Sequence, residues 1–172
     1  MKYLEWAGAA DAGHFKYYDA EDKTNKQLEL GEFKVNEIEY TIRGFDEATN
    51  SPIYSNDIKS FNDEEFVVKS KGGTLFEGKY AKEAILALGA KLHIKATIDF
   101  KGEEMALYLK GMNYYNFSNL IGKDGEVDIT KHLVKFNGST DEKAGAVKYK
   151  APVFVKGNDI GDDIKPEDVP FS

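Results

Sequence analysis

Apolar and polar residues alternate with a period of two along much of this chain, the pattern of strands with one buried face. Phe33, Val35, Ile38, Tyr40 and Ile42 broadly follow it. IYSNDIKSF, beginning at Ile53, is a second extended piece, and EEFVVKSK predicts a strand stopped at Gly72-Gly73. LHIKATIDF and EMALYLKG flank Lys101-Gly102 and predict a hairpin. The run ITKHLVKF predicts another strand, and AVKYKAPVFVKG a last one, with Pro152 marking an edge or a bulge. One segment changes period. GKYAKEAILALGA sets Tyr80, Ala81, Ala84, Ile85 and Leu88 at helical spacing, with Gly89 as its stop. MNYYNFSNLIG allows a short helix that its Asn and Ser residues weaken. Residues 1–32 predict an irregular lead-in. About six or seven strands with one or two helices predict a mainly β (α+β) fold, a twisted antiparallel sheet or small barrel.

Composition narrows the function classes. The 172 residues suit one domain with appendages, and 41% apolar content suffices for a core. Only the end of the chain, residues 157–172, differs in composition. GNDIGDDIKPEDVPFS sets five carboxylates against one lysine, a net charge of −4, so −3 of the formal −7 is left to residues 1–156. The expected organisation is therefore a folded body, 1–156, and a disordered acidic tail, 157–172. The body is nearly balanced, so a positive surface has to come from segregated charge. The whole chain's cations are 22 Lys and the single Arg43, which suits sequence-independent phosphate contact better than bidentate reading of guanine. With no cysteine, disulfides and thiolate metal sites are ruled out, and a reducing cytoplasm fits. MKYLEWAGAADAGHF lacks the apolar core of a signal peptide, and no stretch approaches membrane-spanning length, so no membrane partner is expected.

Catalytic signatures are missing. His14, His93 and His132 are far apart in sequence and show no metal-ligand spacing. No nucleophile-elbow, phosphate-loop or dinucleotide-binding motif occurs. Asp63-Glu64-Glu65, Glu103-Glu104 and Asp141-Glu142 are acidic clusters in turns; a two-metal nuclease could use such groups, but a solvated face is the commoner role. Lys123-Asp124-Gly125 predicts an ordinary turn. No enzyme, metal or cofactor is expected.

What the chain does carry is lysine interleaved with aromatic residues. Unpaired nucleic acid needs cations to follow its phosphates and flat side chains on which bases stack. Phe15, Lys16 and Tyr17, in HFKYY, combine both, with Tyr18 beside them. Lys69 and Lys71 share one strand face, as do Lys148 and Lys150 if Tyr149 faces the core. Arg43 follows a strand and can stack or touch phosphate. Tyr54 and the Tyr114-Tyr115 pair, Tyr115 above all, are further stacking candidates. Against each aromatic stands the commoner role of a strand Tyr or Phe as core or cross-strand partner.

The tip Glu167-Asp168-Val169-Pro170-Phe171 resembles the acidic C-terminal tail of single-stranded DNA-binding proteins, from which Ser172 departs. The same tip also reads as a solvating tail with a chance Pro-Phe. Across about residues 52–155, Ile53-Tyr54-Ser55-Asn56, the Val-Lys…Gly-Gly segment, the Gly78-x-Tyr80 helix and Lys148-Tyr149-x-x-Pro152-x-Phe154 are similar to a group of phage- and plasmid-encoded single-stranded DNA-binding proteins. These are fold motifs, not catalytic ones. The resemblance implies an oligonucleotide-binding (OB) antiparallel barrel that protects single-stranded DNA in phage or plasmid replication and recombination, in the host cytoplasm. It implies that Asp162, Asp163, Glu167, Asp168, Pro170 and Phe171 recruit replication or recombination proteins. Self-association stays open. The alternative is a non-enzymatic phage accessory or structural protein whose tail recruits a partner or mimics DNA.

Overall fold

The computed structural model describes residues 1–9, 12–121 and 128–159. Its elements in chain order begin with β1 (Lys2–Ala7), β2 (His14–Asp19), β3 (Thr24–Leu28), β4 (Glu32–Asp46), β5 (Ser51–Ser55), β6 (Phe66–Ser70) and β7 (Gly73–Gly78). Helix α1 (Lys82–Ala87), β8 (Ala90–Phe100), β9 (Glu103–Lys110) and α2 (Met112–Ser118) follow. After a 3-10 turn at Ile129–Lys131 come β10 (His132–Ala144) and β11 (Val147–Asp159). The protein is mainly β. It divides into two compact units, Met1–Glu37 with Ala96–Ser172, and Ile38–Lys95. Strands β4 and β8 carry the chain from one to the other.

In the first unit the order is β3-β2-β1-β9, and β10 pairs with β11 and with the start of β4 through Val134 opposite Phe33. Residues 1–32, expected to be irregular, form three strands. Alternation is faint there because few positions are fully buried: Leu4 in β1 and Phe15 in β2. The expectation of purely antiparallel pairing also fails at one place. β1 runs parallel to β9, with Lys2 opposite Met105 and Leu4 opposite Leu107. Pairing across so long a crossover leaves no local mark in a sequence.

An aromatic cluster forms this unit's core. Trp6 and Phe15 meet edge to face with centroids 4.8 Å apart, Phe15 and Phe136 at 5.2 Å, and Phe117 and Phe154 at 5.4 Å. Each such pair adds about 0.5–1.5 kcal/mol beyond its buried area. The Trp6 indole N–H donates to the Lys150 carbonyl at 2.7 Å. Pro152, opposite Ser139, sits beside a register shift between β10 and β11, on a strand whose partner among the named strands is β10, so it marks both an edge and a bulge.

In the second unit the order is β8-β4-β5-β6-β7, with β4 to β7 antiparallel to their successors. Ile42, Ile53, Ile58, Phe66, Val68, Ile85 and Ala90 form the core, flanked by Tyr40, Phe61, Leu75, Phe76, Tyr80, Leu88 and Leu92. The expected helix forms as α1, with only Ile85 fully buried. Gly89, at φ +85°, ends it in the left-handed conformation that glycine adopts without steric cost. A Cβ on Gly44 would lie 2.3 Å from the Gly89 carbonyl oxygen and 2.6 Å from the Ala90 Cα, so β4 approaches the start of β8 too closely for any side chain. Among the described residues the first unit's strand path ends at β3 and the second's at β7, and no pairing closes the ladder.

Candidate nucleic-acid interface

Three residues singled out in the sequence on separate grounds are cross-strand neighbours in the second unit. Arg43 of β4 lies opposite Tyr54 of β5, and Tyr54 opposite Lys69 of β6. All three are exposed, Tyr54 by half of its surface. Their chain neighbours Ile42, Ile53 and Val68 point the other way, into the core. Phe45, 49% exposed, lies opposite the exposed Pro52. Being two residues from Arg43, Phe45 is diagonal to Tyr54, within aromatic reach. The face thus runs as a cationic row, Arg43 and Lys69, with Tyr54 between them and Phe45 and Pro52 beside it. Single exposed apolar residues are ordinary; a contiguous aromatic group flanked by cations is the informative observation.

Polar side chains, half-buried or exposed apart from the buried Ser51 and Ser70, fix this face from behind and at its ends. Ser55 Oγ accepts from the Ile42 N–H at 2.8 Å. Asn56 Oδ1 accepts from the Val67 N–H at 2.8 Å, while its amide donates to the Glu65 carbonyl at 3.1 Å. The Ile-Tyr-Ser-Asn motif therefore splits its duties: Ile53 packs, Ser55 and Asn56 extend the ladder, and Tyr54 is presented to solvent. At the other end Asp46 accepts from Thr49 Oγ1 at 2.9 Å and from Ser70 Oγ at 3.3 Å. The Lys71 N–H donates to Ser51 Oγ at 3.4 Å, tying the turn that carries exposed Lys71 to β5. The Thr49 hydroxyl above all, then the Ala48 N–H and Ser70, hold the Asp46 carboxyl below its ordinary value of 3.8.

The first unit treats the remaining residues differently. Phe15 is 1% exposed within the aromatic core and offers no face to a base, which corrects its assignment to the site. Lys16 is half-buried between Glu5 and Gln27 on the neighbouring strands. The Tyr17 ring is covered by Lys2 Nζ, 4.9 Å from its centroid, and borders a cleft of about 310 Å³ lined also by Glu29, Lys101 and Glu103. Lys2 itself is paired with Glu103 at 3.0 Å. Lys150 is paired with Asp141 at 2.9 Å, whereas Lys148 is exposed. Tyr115, 55% exposed on α2, stands with its ring 5.8 Å from that of Tyr114. Tyr18 and Tyr3, 61% and 56% exposed, are the other open tyrosines here.

Phe45 and Tyr3 escaped the sequence reading. Phe45 lies in the turn-rich stretch GFDEATNSP, although its spacing from Arg43 is that of the same strand face. Asp162, Asp163, Glu167, Asp168, Pro170 and Phe171 lie outside the described residues, as does Lys123-Asp124-Gly125. Residues 157–159, expected to begin the tail, belong to β11. Among the described residues no group of three or more His, Asp or Glu could hold a metal ion, and no helix is long and apolar enough to cross a membrane.

No family model, no curated protein and no solved structure matches this chain. The likeness to single-stranded DNA-binding proteins rests on the quoted residues alone.

Proposed function

We propose that this protein binds single-stranded DNA without sequence specificity and without catalysis, through the face built by Arg43, Tyr54, Lys69 and Phe45. The observation that carries it is the register that places Tyr54 between Arg43 and Lys69 on an exposed sheet surface. A base stacked on Tyr54 gains about 1–3 kcal/mol whatever its identity, because every base has a π-face. Arg43 and Lys69, one on either side, meet the phosphates that flank that base. Lys71, in the turn after β6, extends the cationic row.

The fold proposed with this function is an OB-type barrel. Counted from β4, Tyr54 and Lys69 lie on the second and third strands, the face by which OB folds bind oligonucleotides, and such barrels are partly open. Residues 160–172 carry the proposed recruitment of replication or recombination proteins, with Phe171 as the apolar anchor of an acidic peptide. Protection of single strands in a phage or plasmid replication cycle is the role that combines both parts.

A fluorescence titration with poly-dT at two salt concentrations, beside a duplex of equal length, tests this. Tight, salt-sensitive binding to the single strand with weak duplex binding is expected. No binding to either would sink it and favour an accessory role through the tail; magnesium-dependent cleavage would contradict the absence of catalysis.

A further inference from the structure

The β10–β11 hairpin departs from the rest of the first unit in being open on both faces. From residue 137 to residue 148 every position but the half-buried Glu142 is exposed. Its turn is Gly145-Ala146, with Gly145 at φ +61°, the positive φ that a two-residue hairpin loop demands at its first position. A two-stranded ribbon is marginal by itself in water. This one is anchored at its base, where the Lys150 N–H donates to the Gly8 carbonyl at 2.8 Å and the Lys150 carbonyl accepts from Trp6.

Charge on the ribbon is segregated. One face carries Ser139, Asp141 and Lys143 opposite Pro152, Lys150 and Lys148. The other carries Thr140, Glu142 and Ala144 opposite Ala151, Tyr149 and Val147. All three lysines of this stretch therefore share a face, and Glu142 on the opposite face is engaged by the Thr140 hydroxyl at 3.0 Å. Within the lysine face Asp141 neutralises Lys150. Lys143 and Lys148 are left directly opposite each other, both exposed, next to a turn of small residues. Like charges in that position destabilise a ladder, and an anion held between them reverses the sign.

We propose that the β10–β11 ribbon is a backbone clamp, in which Lys143 and Lys148 together hold a phosphate of a nucleic-acid strand. The clamp rests on the nucleic-acid reading above but uses none of its residues from the second unit. The small residues of the turn, Ala144, Gly145 and Ala146, leave both ammonium groups unobstructed. The neutralised Asp141–Lys150 pair behind them keeps the anion at the tip.

The test is a titration of the full chain with a fluorescein-labelled dT oligonucleotide over a salt series, comparing the wild type, K143Q/K148Q and a charge-matched control, K23Q/K82Q. Lys23 and Lys82 are exposed and lie outside both proposed sites. The ribbon variant is expected to keep its thermal midpoint or raise it, to bind more weakly at low salt, and to lose about 0.7 from the slope of log affinity against log salt, one phosphate contact to a single strand. The control should run parallel to the wild type. A ribbon-variant slope equal to the control's, with wild-type binding intact, overturns the clamp alone. A wild type that does not bind the oligonucleotide overturns the nucleic-acid reading and the clamp with it. Inorganic phosphate is the second probe: saturable binding that K143Q/K148Q abolishes, with an unchanged oligonucleotide slope, would assign the lysine pair to a free anion and not to a polymer.

Discussion

Arg43 and Tyr54 stand directly opposite each other across the β4–β5 ladder, and both reach solvent. Such a pair can stabilise a sheet by a few tenths of a kcal/mol up to about 1 kcal/mol. What sets this one apart is its company: Lys69 follows Tyr54 on the next strand, and Phe45 lies on its diagonal. A row that alternates cation, ring and cation matches the alternation of phosphate and base in an unpaired strand.

Tyr54→Ala is therefore expected to weaken single-strand binding by about 1–3 kcal/mol, with no cooperative loss of structure because the ring is half exposed. Tyr54→Phe should bind like the wild type, since stacking needs the ring and not the hydroxyl. Fluorescence anisotropy with a dT oligonucleotide, alongside circular dichroism, separates the two effects. Equal affinity for all three proteins would remove Tyr54 from the site.

Phe45→Ala should lose affinity in the same range of about 1–3 kcal/mol if a second base stacks there. Because Phe45 and Tyr54 are neighbours on one face, the double variant should lose less or more than the sum of the singles by at least about 0.5 kcal/mol. Strict additivity would mean that the two rings do not serve one strand.

Gly44→Ala should destabilise the second unit by about 1–3 kcal/mol or more, since the new methyl would meet the Gly89 carbonyl at 2.3 Å and the Ala90 backbone at 2.6 Å. Gly72→Ala is the contrast. Its Cβ would lie 3.4 Å from a Thr49 methyl, an ordinary contact, and the change should stay within about 0.5 kcal/mol. Urea unfolding of both variants checks this, and equal midpoints would show that β4 and β8 can separate without cost.

Asp46 gives the fold a pH dependence of definite sign. Its folded pKa is depressed, first by the Thr49 hydroxyl, so its contribution is present above the ordinary carboxylate value of 3.8 and is lost as pH falls through the lowered folded value. Glu64, lowered by the Lys59 and Ser60 N–H groups, adds the same sign. Asp46→Asn should melt below the wild type at neutral pH, and the gap should narrow as pH drops below 3.8. A gap that stays constant to strongly acid pH would contradict a role for the ionised carboxylate.

Local signals were legible where backbone conformation demanded particular residues. Lys101-Gly102 announced its hairpin because both positions take positive φ, +52° and +78°. Gly89 announced the end of α1 for the same reason. Arg43, Tyr54 and Lys69 could be chosen as residue types, but their alignment is a matter of register between strands, which no local pattern encodes. HFKYY misled because interleaved rings and cations look alike whether the ring turns in, as Phe15 does, or out, as Tyr18 does. The parallel β1–β9 pair was invisible because its partners stand far apart in the chain.

Removal of residues 160–172, which hold Asp162, Asp163, Glu167 and Asp168 against Lys165, should leave single-strand affinity intact or tighten it, most at low salt where screening is weakest. Phe171→Ala should abolish most capture of replication or recombination proteins while leaving DNA binding unchanged. Loss of DNA affinity on removing the segment would show that these residues contribute to DNA binding.

The most direct measurement compares the wild type with Arg43→Gln/Tyr54→Ala/Lys69→Gln in an anisotropy titration against a labelled dT oligonucleotide at low and high salt. The wild type should bind, with affinity that falls as salt rises. The variant should retain its circular dichroism spectrum and its thermal midpoint, lose most of its affinity, and show a flatter salt dependence. A folded variant that binds as tightly and as salt-sensitively as the wild type, or a wild type that does not bind at all, would contradict the central claim.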